Sequence, residues 1–337
     1  MLSRVANSLC WMARYLERAE NVARLVDVNL QLLPDLPDLD DTEVAGHWLP
    51  IIESTGDEEA FRKLHLEPTG RAVTEFMVFQ LENPNSLVSS VNAARENARM
   101  VRDQITGELW EELNRMYLFL NSPKAREMWQ RSAFDLLYEV KSASLLLQGL
   151  TTATIVHDEG WHFMQVGRFL ERADKTTRFL DLHWQSLPAG PRPTHVGQTD
   201  ALEWGAILRS CSAWDAYKAL HTSKVDPALV AEFLLLAPDF PRSVRFCAEA
   251  LDRALRDISG SPSGRFAHDA ERLSGRLVAE LQFGRLDDVL AVGLHDYLDQ
   301  LQSQFNAIGD ALFRTYIFRP FNAVVDEQLQ QQQQQQQ

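Results

Sequence analysis

Cysteine is nearly absent: Cys10, Cys211 and Cys247 are the only three in 337 residues. None stands near another at the spacing of a zinc knuckle or a redox pair, so the expected setting is a reducing cytoplasm without a disulfide framework. Glycine and proline are sparse as well, 16 and 14, too few for a turn-rich β protein. Positive charge is in deficit. Against 47 Asp and Glu stand 33 Lys and Arg, a net charge of −14, which repels phosphate backbones and anionic lipid and excludes nucleic acid and membrane surfaces from the expected partners. Long apolar runs are missing too: the longest uncharged one, Ser142 to Val156, falls short of a bilayer span. Arg4, Arg14 and Glu17 interrupt the region where a secretory leader needs an unbroken apolar core. What is present is 45% hydrophobic residues, enough to exclude wholesale disorder. The expectation is an all-α protein.

The chain also echoes itself. Residues 14–34 laid on 168–188, an offset of 154 without a gap, agree at ten of 21 positions, among them Arg14, Leu16, Glu17, Arg18, Ala19 and Arg24 against Arg168, Leu170, Glu171, Arg172, Ala173 and Arg178. Weaker echoes follow, such as Trp48 with Trp204 and Ser89 with Ser243. Self-similarity of this kind predicts a duplicated unit: two tandem helical-bundle repeats over residues 1–153 and 154–325, then a disordered glutamine-rich tail over 326–337 that has nothing to bury. Within the first repeat, three-to-four spacing of apolar residues predicts a helix from Ser3 to Leu33, stopped by Pro34, and further helical stretches over Trp48 to Leu66, Thr69 to Leu81, Ser86 to Asn121 and Pro123 to Val156. In the second, it predicts a helix opening at the N-cap Asp158 and stopping at Pro188, then Leu202 to Leu220, Pro227 to Leu236, Val244 to Ile258 and His268 to Tyr316.

On the first helix Arg14, Glu17, Arg18, Asn21 and Arg24 share about one third of the circumference, and apolar residues fill the opposite side. The second copy repeats the pattern with Arg168, Glu171, Arg172, Lys175 and Arg178, and with Asp174 where the first has Glu20. One reading is a solvated face laced by pairs such as Glu20 with Arg24. The other is a covered face, because the charged positions agree between copies better than several core positions, and Leu25, Val28, Phe179 and Leu182 sit among them. A covered arginine needs a partner, and its planar fork suits a carboxylate. On that reading each Glu-Arg pair joins a buried network.

A second cluster, Ala94 to Asp103, sets Arg95, Arg99 and Arg102 in one stripe with Glu96 and Asn97 between them. Either an anion lies against the stripe, or its arginines answer the carboxylates around Glu17. Metal chemistry finds little support. Glu159 and His162 have the i, i+3 spacing of carboxylate-bridged helical sites, but once only, and the aligned Val5 and Ser8 carry no ligand. No glycine-rich phosphate loop, serine elbow or strand-based nucleotide fingerprint occurs, so neither a metal nor a cofactor is expected.

Three motifs in order, Arg14 to Asn21 (Arg-Tyr-Leu-Glu-Arg-Ala-Glu-Asn), Ala94 to Arg99 (Ala-Arg-Glu-Asn-Ala-Arg) and Asp158 to Asp174, make the chain resemble the bacterial alpha-E family, an all-helical group named for its Glu-Arg motif. The resemblance covers about residues 1–320. It implies a cytoplasmic bacterial protein whose gene travels with, or is fused to, that of a circularly permuted ATP-grasp ligase, often beside a transglutaminase-like peptidase. The expected role is an accessory scaffold of a peptide or amide ligase system, with an anionic peptide or phosphorylated intermediate as the ligand of its Arg/Glu networks. The alternatives are a stand-alone enzyme that forms or cleaves amide bonds with Glu17 or Glu171 as general base, and a helical adaptor without a ligand.

Overall fold

A helix of 30 residues containing neither glycine nor proline, α1 (Ser3–Leu32), runs through the middle of the molecule. The computed structural model of the protein describes residues 1–32, 41–190, 198–221, 225–262 and 264–318, with the backbone alone at 41–47, 186, 198 and 199. The glutamine tail and most of the acidic loop after Pro34 lie outside the described residues. After α1 come α2 (Asp41–Thr55), α3 (Glu58–Leu64), α4 (Gly70–Val78), α5 (Leu87–Met100), α6 (Gly107–Leu120), α7 (Pro123–Arg131) and α8 (Ala133–Thr154). A short link then leads to α9 (Glu159–Asp181), α10 (Gln198–Ser210), α11 (Trp214–Leu220), α12 (Pro227–Leu236), α13 (Val244–Ser259), α14 (Asp269–Phe283), α15 (Leu286–Val292) and α16 (Leu294–Leu312), closed by a π-helical turn over Phe313–Ile317. Among the described residues there is no strand. Among them no helix is long and apolar enough to cross a membrane.

Several stretches expected to be continuous are broken, some at a side chain that offers the backbone another partner and others at a residue in a turn conformation. Thr106 and Ser132 accept hydrogen bonds from Leu109 N and Asp135 N and so start α6 and α8 afresh. Side chains of this kind compete with the helical ladder from N-cap positions. The stretch after Leu202 breaks at Ser212, which adopts φ +52°, and the stretch after His268 breaks at Gly284 and again at Gly293, whose φ is +99°. Helix α9 ends at Asp181, and a 3-10 turn over Trp184–Ser186 carries the chain toward Pro188. The expected cap at Asp158 is present: its Oδ1 accepts from Gly160 N and Trp161 N at 2.9 and 3.2 Å.

Helices α1 and α9 lie side by side in the same direction. Contacts climb both helices together, from Met1 with Glu159 to Arg14 with Glu171 and Glu17 with Arg172. Gly167 sets how close they come, since a Cβ there would stand 2.1 Å from the Cys10 carbonyl oxygen. Helix α5 packs along α1 and α13 along α9, while α8 and α16 close the two outer flanks of the pair. Trp48, Trp204, Tyr217, Phe76, Phe163 and Phe305 are completely or almost completely buried around this frame. Into its centre the sequence puts charge: Glu17, Glu20, Glu171 and Arg172 are all at most 3% exposed.

Candidate functional site

The two Glu-Arg dipeptides pair crosswise between α1 and α9. Glu17 accepts from Arg172 Nε at 2.8 Å and from Arg172 Nη2 at 2.7 Å. Glu171 accepts from Arg18 Nε at 2.6 Å and from Arg18 Nη2 at 3.0 Å. Each is a two-pronged fork of the kind that only arginine provides. Arg14 adds a third bond to Glu171 at 3.0 Å. The face is therefore covered, and Arg14, Arg18 and Arg172 are answered by carboxylates of the facing helix.

Burial alone would raise both glutamates, but the guanidinium charges outweigh it. Arg172 and Arg242 hold Glu17 down at about 2, and Arg18, Lys175 and Arg14 hold Glu171 still lower. In turn Arg172 and Arg18 are raised above the ordinary arginine value, the effect of Glu17 and Glu171 exceeding the cost of burial. A carboxylate held so low is a weak base at neutral pH. The pairs lock helices together.

The two flanks of the crossing differ. On the Glu17 side, α8 inserts Gln148, whose amide donates to Glu20 and Glu17 and accepts from Arg168 at 2.6 Å and Arg172 at 3.3 Å. Only a water-sized pocket of about 30 Å³ is left there, beside three unpartnered donors: Arg168 Nε, Ser144 Oγ and Gln165 Nε2. Arg168 is lowered to about 10 by burial and by its neighbours Arg172 and Arg242. On the Glu171 side, α16 presents Gly309, and a pocket of about 620 Å³ opens beside Arg14, Arg18, Lys175 and Arg178.

The remaining expected residues divide. Asn21 joins the network by accepting from Arg242 at 3.0 Å. Arg24 turns back to Glu20 at 2.8 Å, and Arg178 to Asp174 at 2.8 Å and the Ser54 carbonyl at 3.3 Å. The stripe on α5 lies elsewhere. Arg95 and Arg99 share Glu96, Arg95 also reaches Asn114 and stacks on Trp110 and Tyr117, and Arg102 lies over Trp110. Asn97 bonds the Ala93 carbonyl at 2.9 Å. Neither the stripe nor Asn97 meets the Glu17 carboxylate, because α5 turns this edge toward α6, away from α9.

Of the weak metal candidates, Glu159 takes the amino group of Met1 at 2.9 Å, and His162 stands 3.6 Å from Asp257. Among the described residues Asp181, His295 and Asp299 offer three ligand atoms within 4.8 Å of one another, a half-exposed group tied by a His295 Nδ1 to Asp181 contact of 2.7 Å. All three cysteines are buried and unpaired.

Three network members went unread in the sequence: Asn85, Gln148 and Arg242. Arg242 joins Glu17, Glu20 and Asn21, and Asn85 accepts from Arg18 Nη1 at 2.7 Å. A signal for both exists, since each directly precedes a capping serine, Ser86 on α5 and Ser243 on α13. The sequence echo had matched Ser89, not Ser86, with Ser243. Counted from the caps, the place of Arg95 is held by Asp252, which pairs with Arg256 at 2.7 Å. Gln148 carries no such signal, because it sits in an apolar stretch whose facing partner comes from another part of the chain.

A family model, Alpha-E, described as a predicted alpha-helical domain with a conserved ER motif, matches residues 1–317. Uncharacterised proteins of Mycobacterium bovis and of two strains of Mycobacterium tuberculosis are each 26% identical to the chain over 336 residues, covering 94% of it and 37% of the relative. The chain thus spans little more than a third of the length of the curated relatives it matches. No solved structure matches.

Proposed function

The chain belongs to the Alpha-E family, and from that membership and the crossed ion pairs we propose that it is a non-catalytic scaffold of an ATP-grasp peptide or amide ligase system. It docks the circularly permuted ATP-grasp protein and presents an anionic peptide to it in the cytoplasm, with a transglutaminase-like peptidase as a second partner. The observation that carries this reading is the pairing of Glu17 with Arg172 and of Glu171 with Arg18. The two acidic groups best placed for catalysis are engaged in holding α1 to α9, and the cationic pocket beside them is open. The excess length of the mycobacterial relatives leaves room for a further domain joined to the helical unit, as a fused ligase requires. The unpaired thiols fit a reducing compartment.

We also propose that the chain is a duplication, with the second unit starting near residue 154. In support, among the described residues eight α-helices follow that point as eight precede it, each series opens and closes with its two longest helices, and α1 with α5 recurs as α9 with α13.

Docking is tested by passing the tagged chain and an ATP-grasp protein from the same genome through size exclusion at micromolar concentration. A joint peak is expected. Separate elution, or amide formation from ATP and amino acids by the chain alone that is lost in Glu17→Gln, overturns the scaffold reading.

A further inference from the structure

The open pocket on the Glu171 side keeps hydrogen-bonding capacity that the fold does not use. Among the described residues Arg14 donates only through Nε to Glu171. Arg178 donates through Nε and Nη1, leaving Nη2. Lys175 is 9% exposed and makes no hydrogen bond among the described residues; its ammonium stands 3.5 Å from Asp174 and 3.9 Å from Glu171. An ammonium so nearly removed from water, with its carboxylates no nearer than 3.5 Å, gains from an anion that completes its surroundings.

Charge and shape narrow the anion. Arg14, Arg18, Lys175 and Arg178 contribute four positive charges, while Glu171 beneath them and Asp174 and Asp310 beside them contribute three negative ones, so 4 − 3 leaves one uncompensated cation. The cations stand on α1 and α9 and Asp310 on α16, so the lining suits a zwitterion with its carboxylate on the cations, whereas a phosphate dianion would turn the site negative. Asp310 on α16 is exposed, and among the described residues it pairs with no cation, so it can receive the ligand's ammonium. Trp11, Phe305 and Phe313 supply apolar walls. A volume of about 620 Å³ is of the size that encloses small organic ligands and exceeds a single ion.

We propose that this pocket binds the free C-terminal end of a short zwitterionic peptide. The α-carboxylate lies on Lys175 and Arg14, the amino group faces Asp310, and an apolar side chain packs on the aromatic wall. The proposal rests on the reading of the chain as presenting a peptide to a ligase, and it is tested on the chain alone, so failure to dock a ligase and failure to bind a peptide are separate results. The opposite flank supplies the control. Gln148 fills the Glu17 side, whereas a Cβ at Gly309 would meet nothing nearer than Leu170 Cδ2 at 3.5 Å, an ordinary contact, so Gly309→Gln should close the pocket without disturbing the helix pair.

The probe is L-alanyl-L-phenylalanine, titrated calorimetrically against its C-terminal amide, its N-acetyl form and inorganic phosphate. Binding in the micromolar to millimolar range is expected for the free dipeptide, with the amide and Lys175→Met each weakened about ten-fold or more by loss of a charged contact. Gly309→Gln, with an unchanged melting temperature, should abolish the heat of binding and keeps the test open if Lys175→Met does not fold. No heat with the dipeptide up to about 10 mM, a range in which even weak charged contacts register, overturns the proposal. So does equal affinity for amide or phosphate, or undiminished binding by Gly309→Gln.

Discussion

Glu17 and Arg172, 155 residues apart in sequence, meet through two hydrogen bonds of 2.8 and 2.7 Å with both side chains at most 3% exposed. Two charges removed from water this completely stabilise only as a pair. Removing one member therefore costs more than deleting a surface ion pair.

Arg172→Met should lower stability by about 3–5 kcal/mol, since the buried Glu17 loses its two-pronged partner and keeps only Arg242. Arg99→Ala, which leaves the exposed Glu96 to Arg95 alone, should cost less than about 1 kcal/mol. Urea denaturation compares the two, and equal losses would refute the buried-pair account.

Gly167→Ala should destabilise by about 1–3 kcal/mol or more, the usual penalty of overpacking. The added methyl meets a main-chain carbonyl at 2.1 Å, and a backbone cannot swing aside as a side chain can. Gly149→Ala, where a Cβ would meet nothing within 4 Å, serves as the contrast. The idea fails if both variants melt alike.

Acid should unfold the protein through the network. The ordinary glutamate value is 4.5, and Glu17 falls to about 2 in the folded state, with Glu171 lower still. A carboxylate depressed by folding contributes stability that is fully present above the unfolded value and disappears as the pH drops through the folded one. Stability due to these two groups should hold from pH 7 to about 5 and fall steeply below about 4.5. Glu17→Gln should flatten that slope; an unaltered slope would contradict the assignment.

The thiols should be silent. Burial pushes Cys10 up to about 11 and Cys211 and Cys247 up to about 12, and the thiolate is the reactive form. Ellman's reagent at pH 8 should find almost none in the folded protein and all three in denaturant. Prompt native reaction would place at least one thiol in contact with solvent.

Apolar periodicity and the cap at Asp158 made the helices legible, and α1 was readable almost to its last residue because nothing within Ser3–Leu32 interrupts the ladder. The breaks at Thr106, Ser132 and Ser212 were harder, since a residue that fits a helix interior also serves as a cap or turn, and local spacing does not choose between them. The charged faces were visible on a wheel, yet which arginine answers which glutamate was not. That Arg18 takes Glu171 while Arg95 stacks on Trp110 depends on how the helices are oriented about one another.

By itself the order of residues determined that this chain is helical, acidic and marked by two Glu-Arg dipeptides, because those properties are set by neighbours within a few positions. Only the tertiary structure decided that the dipeptides cross-pair, that Gln148 fills one flank and that Gly309 leaves the other open. Those outcomes depend on α1, α8, α9 and α16 meeting from distant parts of the sequence, where close packing and the cost of a buried charge admit few arrangements.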